Sequence, residues 1–282
     1  MCQAVSTSTP VKTLDLLSKN EDSSIVYSVA KNSSTPAKIL NSFFDLSNLS
    51  MKGYLAENPS TPAETLQRLI ANRDNTVYYD NTVYYAAVKN PSLPVDILEL
   101  LANDSDDKVR ESVADNPNAP PEILSLLADD SNSRIRFRVA RHKNTLIETL
   151  ELLSNDNSGG IRSAVAENHN TPIEILILLA DDDDYSVRDS VSENHKCTQE
   201  IKETIFRNFA KVEVPSLNRV ALFMSDYAES SVLAEHSNSI SWLERYAIAC
   251  NSKTPISALE QLASDGNRIV RATAKESLQK RQ

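Results

Sequence analysis

Leucine recurs along this chain at a fixed interval. Leu14, Leu40, Leu66, Leu98, Leu124, Leu150 and Leu176 are 26 residues apart, except for one interval of 32. Leu233 and Leu259 resume the spacing of 26. Around most of these leucines the apolar residues follow one pattern, as in Ile123, Leu124 and Leu127. That i, i+1, i+4 stripe predicts a short amphipathic helix. A polar, acidic turn follows it. Apolar residues then return four apart, as in Ile161 and Val165, and predict a second short helix.

The unit is therefore a helix pair, and a search for internal repeats finds ten of them. They start at residues 6, 32, 58, 90, 116, 142, 168, 194, 225 and 251. Two intervals exceed 26. The third repeat carries six extra residues because DNTVYY occurs twice in tandem, at Asp74–Tyr79 and again from Asp80. The eighth carries five extra. The consensus reads N-P-x-T-P-x-E-I-L-x-x-L-A-x-D-x-D-x-x-V-R-x-x-V-A-x, and its places are numbered from the asparagine.

Several places have a local physical reading. Threonine at place 4 is an expected N-cap and proline at place 5 an expected first helical residue. Glutamate three residues after the threonine suggests a capping box, as in Thr61/Glu64 and Thr171/Glu174. Asparagine at place 1 suits a left-handed position at a helix C-terminus. Helices of eight or nine residues are too short to be stable alone, so neighbouring repeats must stabilise one another. The expected architecture is all-α, one helical-repeat domain over residues 1–282.

These residues resemble the leucine-rich repeat variant family, a relative of HEAT-type repeats. The resemblance spans essentially residues 6–276, strongest in repeats four to seven. It implies a right-handed α-solenoid of about ten two-helix repeats, in which the second helix can be 3₁₀. Some members carry an amino-terminal iron–sulfur module. Here only Cys2 precedes the first repeat, so no cofactor is expected.

Composition narrows the function. Four glycines in 282 residues contrast with roughly 20 at ordinary usage. Neither glycine-rich nucleotide cradle is present. The net charge of -10 disfavours a nucleic-acid partner. Cys2, Cys197 and Cys250 form neither a disulfide framework nor a zinc spacing. No apolar run approaches the ~20 residues of a membrane span, and no signal peptide is evident, so a cytoplasmic setting is expected. Three of the four histidines, His142, His169 and His195, fall in successive repeats, too far apart to share a metal. Asp181–Asp184 lacks the spacing of a calcium loop and reads as a solvated turn.

Two constellations stand out. Asp at place 15 and Arg at place 21 occur together in five repeats, for example Asp104/Arg110 and Asp130/Arg136, which suggests a ladder between stacked units. The fifth repeat carries Arg134, Arg136, Arg138 and Arg141 against three acids, whereas the seventh nets -6. Arg134, Arg138 and Arg141 share one helical face. Phe137 sits beside them at place 22, a variable column expected to face solvent that holds Tyr85 in the third repeat.

The reading is a non-enzymatic scaffold without catalytic residues or metal, binding a protein or peptide on an extended repeat surface. Arg134, Phe137, Arg138, Arg141 and Tyr85 are the expected contacts for an acidic or phosphorylated segment. Salt bridging within the chain is the competing reading of the arginines. Two alternatives rest on likeness to other HEAT-like proteins: nucleic-acid binding or repair, as in alkylpurine DNA glycosylases, and chromophore handling, as in phycobilin lyases.

The tandem DNTVYY yields the first prediction. Six residues are about 1.7 helical turns, so they cannot extend a helix without rotating its apolar stripe. Stacking should resume at Val83, and deleting Asp74–Tyr79 should leave the melting temperature almost unchanged. A large drop in thermal stability would show that the extra copy is part of the packing.

Overall fold

The computed structural model of the chain describes residues 8–46, 48–71, 81–210 and 217–281. All its regular elements are helical, and they divide into two compact units, Met1–Thr171 and Pro172–Gln282. The first unit holds six helix pairs: α1 (Val11–Leu17) with α2 (Ser23–Lys31), α3 (Ala37–Phe43) with α4 (Leu49–Glu57), and α5 (Ala63–Ala71) with α6 (Thr82–Lys89). They continue as α7 (Val95–Leu101) with α8 (Asp107–Ala114), α9 (Pro121–Leu127) with α10 (Ser133–Arg141), and α11 (Ile147–Leu153) with α12 (Gly159–Glu167). The second unit holds α13 (Ile173–Leu179), α14 (Tyr185–Glu193), α15 (Gln199–Ala210), α16 (Leu217–Met224), α17 (Ser230–Glu235), α18 (Trp242–Cys250), α19 (Ile256–Leu262) and α20 (Arg268–Gln279). Odd-numbered helices are the first of each pair. The second helices are α-helical; 3₁₀ turns occur only between helices, at Phe44–Leu46 and His236–Asn238 among the described residues.

The period-26 leucines form the core of each unit. Leu14, Leu40, Leu66, Leu98, Leu124 and Leu150 are fully buried in the first, and Leu176, Leu233 and Leu259 in the second. Burying each contributes about 1.5–3 kcal/mol. Val109, Ile135 and Ile161 at place 20 and Val113, Val139 and Val165 at place 24 close the same core from the second helices. Those second helices pack in one row through the first unit, α2 to α12. The extra copy Asp74–Tyr79 lies outside the described residues. Beyond it α6 takes its place between α4 and α8, with Tyr84 and Ala87 buried and Val83 only half-buried.

Capping differs from the sequence expectation in two ways. The helix begins one residue later than the threonine predicts, with proline as N-cap at Pro36, Pro94, Pro120 and Pro172 and no side-chain cap. The threonine hydroxyl turns back instead. Thr61 donates to the Leu55 carbonyl at 2.7 Å, Thr145 to Val139 at 2.6 Å and Thr171 to Val165 at 2.5 Å. A threonine expected to start one helix therefore finishes the previous one. Side-chain N-caps occur on second helices, where Asp22, Asp106, Asn132, Asp184 and Asn267 each accept from the amide two residues on. Asp184 shows what the Asp181–Asp184 run does locally: it caps α14.

Asparagine at place 1 is not left-handed. Asn58 has φ -75° and ψ 120°, and Asn90, Asn168 and Asn251 are similarly extended. It is buried, and its amide bridges the carbonyl of the preceding rung residue and the carbonyl two residues before that, at the end of a second helix. Asn90 Nδ2 donates to Ala56 at 2.7 Å and Asn58 at 2.8 Å. Asn116 donates to Val88 at 2.7 Å and Asn90 at 2.9 Å, and Asn168 to Ala140 at 2.7 Å and His142 at 3.1 Å. Each Oδ1 accepts the amide two residues on, as Asn116 does from Asn118 at 2.9 Å. The result is an asparagine ladder.

His142 occupies one rung. Its Nε2 lies 2.9 Å from the Asn116 carbonyl, and its Nδ1 accepts from the Asn144 amide at 3.1 Å. A carbonyl can only accept and an amide can only donate, so the ring is the neutral Nε2–H tautomer. Burial pushes its pKa below the ordinary 6.5, outweighing the Asn116 hydrogen bond. A proton on Nδ1 would face the Asn144 N–H.

This rung generates a pH prediction. The unfolded chain takes up a proton at His142 near the ordinary value of 6.5, and the folded chain does so only at lower pH. Stability from the neutral ring is therefore full above that value and lost as pH falls below it. His142→Asn should keep the rung and remove this dependence. Melting curves at pH 7.5 and 5.5 should show a smaller acid loss for the variant than for the wild type; equal losses would refute the assignment.

Candidate functional site

The arginine-rich helix α10 is anchored before any of its charges act. Asn132 caps it by accepting the Arg134 amide at 2.9 Å. Ile135, Val139 and Ala140 are fully buried. The four arginines then divide between two jobs.

Arg136 belongs to a ladder that crosses repeats. Its Nε donates to Asp156 Oδ2 at 2.7 Å and its Nη2 to Oδ1 at 3.2 Å, while Nη1 donates to the Asp130 carbonyl at 2.8 Å. Arg110 does the same with Asp130, at 2.6 and 3.1 Å, and with the Asp104 carbonyl at 2.7 Å. Arg245 repeats the bidentate pair with Asp265 in the second unit. Each arginine thus takes the main chain of its own repeat and the carboxylate of the next. The fork to Asp156 raises the Arg136 pKa against its partial burial. Burial alone would raise Asp130, but the Arg110 hydrogen bond, the Asn132 amide and the Arg136 charge together hold it below its ordinary value.

The remaining arginines of α10 are exposed. Arg138 lies 3.3 Å from both Glu111 and Asp115. Arg141 lies 3.7 Å from Glu167, and its guanidinium is 5.6 Å from the Phe137 ring centre. Arg134 makes no ion pair among the described residues. Arg134, Phe137 and Arg138 share an open groove of about 410 Å³ with Glu111, Ser133, Ser158, Gly160 and Ile161. Arg141 lines a smaller groove of about 230 Å³ with Lys143, Glu167 and His169. Tyr85 lines neither: it stands on α6, where its hydroxyl donates to Asp106 at 2.9 Å. Place 22 is half-buried at Tyr27, Tyr85, Glu111, Phe137, Ser163 and Tyr246, more enclosed than the sequence suggests.

The wall built by Ser158 and Gly160 is a feature the repeat pattern does not announce. A Cβ at Gly160 would meet only Ser158 Oγ, at 3.7 Å. The residues at the equivalent place in the two preceding repeats are Lys108 and Arg134, so glycine here leaves the groove beside Arg134 open. Among the described residues no three His, Cys, Asp or Glu side chains could hold a metal ion together, and no helix is long and apolar enough to cross a membrane.

Residues 107–132 match the family model described as Leucine rich repeat variant. A solved structure described as a leucine-rich repeat variant with a novel repetitive protein structural motif is similar over 83% of this chain and 88% of its own, at 22% identity and TM-score 0.53. That likeness is one of fold. A designed armadillo repeat protein aligns over 96% of the chain and 99% of its own, but at 13% identity and TM-score 0.15. At that score the alignment carries no structural argument. No curated protein matches the chain. Repeat and fold together make the chain similar to the leucine-rich repeat variant family.

The division of labour on α10 is testable. Arg136→Ala removes a bidentate, part-buried hydrogen-bonded pair and should cost about 2–3 kcal/mol. Arg138→Ala and Arg141→Ala remove exposed pairs and should each cost under about 1 kcal/mol. Urea unfolding of the three variants measures this directly; equal losses would contradict the division.

Proposed function

We propose that this leucine-rich-repeat-variant-like chain is a non-enzymatic scaffold that holds a protein or peptide partner, and that the exposed face of α10 receives an acidic or phosphorylated segment. One observation carries the reading: two exposed guanidinium groups, Arg134 and Arg138, share an open groove with the half-buried Phe137 ring. Arginine suits carboxylate and phosphate because its planar fork meets them in bidentate geometry. The contrast with the rest of the chain, at net charge -10, concentrates anion attraction there. Glu111 and Asp115 occupy Arg138 in the free protein, and an incoming anion would compete with them. Arg141 extends the same face, and Tyr85 would contribute only to a partner long enough to reach α6. A nucleic-acid partner finds no support in a chain of net charge -10.

The test uses a fluorescent peptide carrying phosphoserine among glutamates, and an alanine-substituted control. Fluorescence anisotropy should show binding of the first and not the second, weakening as salt rises because the screening length shortens. Replacing Arg134, Phe137, Arg138 and Arg141 together by alanine should weaken binding at least tenfold and leave the melting temperature within a few degrees. Binding indifferent to all four substitutions would refute the site and leave intramolecular ion pairing as the role of these arginines.

A further inference from the structure

The first helices present a second surface, unlike the arginine face in every respect. Leu100, Leu126 and Leu152 occupy place 11 of three successive repeats and are 72%, 53% and 49% exposed. Val95 and Ile147, at place 6 on α7 and α11, are 44% and 52% exposed. A leucine exposed once needs no explanation, but the same leucine exposed at the same place of three neighbouring helices forms a stripe. The repeat does not require leucine there: place 11 is Ser42 in the second repeat, Arg68 in the third and Gln261 in the tenth.

Carboxylates border this stripe. Asp96, Glu99, Glu122, Glu148 and Glu151 are exposed on the same three helices. Asp96, Glu122 and Glu148 stand four residues before the leucines, one turn away on the same face. None of the five makes an ion pair among the described residues. Helices α7, α9 and α11 contain no Lys, Arg or His at all. An acid in the first turn is favourable to a helix by itself. That accounts for place 7, but not for Glu99 and Glu151, nor for the leucines beside them.

We propose that this face docks an amphipathic helix whose apolar residues recur every seven positions and whose flanks are Lys or Arg. Two features select that occupant. The border is purely anionic and its charges are unspent, so the partner's flanks are cationic. The spacing also fits. Adjacent packed helices lie about 8–10 Å apart, and Ser125 and Thr149, hydroxyl to hydroxyl at 2.9 Å, show side-chain contact between α9 and α11. Seven residues of an α-helix rise about 10.5 Å. A helix laid across α7, α9 and α11 therefore presents one heptad to each leucine, and three heptads span all three. This is helix-in-groove recognition with the groove supplied by the repeat. It is independent of the arginine face, which asks for a partner of opposite charge.

The experiment uses the full chain and three fluorescent 21-residue peptides: leucines at heptad spacing flanked by lysines, the same peptide with glutamates for the lysines, and a scrambled peptide of the first composition. The lysine peptide should bind, at least tenfold more tightly than either of the others, and more weakly as salt rises. Replacing Leu100, Leu126 and Leu152 together by serine should weaken binding at least tenfold without lowering the melting temperature, since all three side chains are largely exposed. Replacing Glu99, Glu122, Glu148 and Glu151 by glutamine should weaken it and flatten its salt dependence, which keeps the test intact if the serine variant misfolds. Arg134→Ala with Arg138→Ala should leave it unchanged, which separates this surface from the proposed function. Equal affinity for the scrambled peptide, or indifference to both sets of substitutions, would overturn the proposal. So would sedimentation showing that the three leucines join two copies of the chain and that the lysine peptide does not compete.

Discussion

A helix that ends inside a protein leaves its last carbonyl groups without partners, and this chain ends a helix about every thirteen residues. The buried asparagine at the start of most repeats answers that constraint. Asn116 reaches back to the carbonyls of Val88 and Asn90, and Asn168 to those of Ala140 and His142. The threonine three residues later takes a carbonyl of a different helix, the one that ends just before that rung: Thr171 bonds Val165 on α12, while Asn168 serves the end of α10. A buried carbonyl left unpaired costs about 1–3 kcal/mol, comparable with burying one leucine. Because the acceptors lie at the first residue of the preceding repeat and two residues before it, the asparagine satisfies a helix end and sets the stacking register with the same two bonds. His142 shows that the rung demands one donor and one acceptor at fixed positions rather than an amide as such.

The arginine ladder adds a second tie at the other end of the second helix, and its departures show how the repeat tolerates change. Val26 and Tyr84 stand at its arginine place and are buried, so packing replaces the ion pair there. In the second unit Arg219 pairs with Glu244 at 3.1 Å, although Glu244 occupies a place held by valine or isoleucine in most repeats. Both are buried, at 4% and 0% side-chain exposure. Such a pair gains little over an apolar one, but losing either partner leaves a buried charge, at a cost of about 3–5 kcal/mol.

With stacking secured by the buried columns, the exposed columns are free to differ. In the first unit they differ in opposite directions. The second helix α10 carries arginines around Phe137, and the first helices α7, α9 and α11 carry leucines bordered by carboxylates. One repeat plan thus offers two chemically distinct surfaces, whose side chains take no part in the ladders.

The sequence by itself determined the helix pair, the period and the leucine core. Those follow from apolar spacing, which depends only on neighbours along the chain. It also put Arg134, Arg138 and Arg141 at i, i+4 and i+7 of one helix, although the structure divides them between two grooves. What it did not determine is where each polar side chain bonds. Threonine was legible as a cap and asparagine as a turn residue, yet Thr145 serves the helix behind it, and Asn168 sits extended and reaches back 26 and 28 residues. Arg136 was legible as a partner of aspartate, but its carboxylate is Asp156, 20 residues on, and only its main-chain contact is with Asp130. Tyr85 was grouped with the arginines by its repeat place, whereas the tertiary structure gives its hydroxyl to Asp106. Periodicity fixes which way a side chain faces. The partner it meets depends on which repeat is stacked there, and only the tertiary structure decides that.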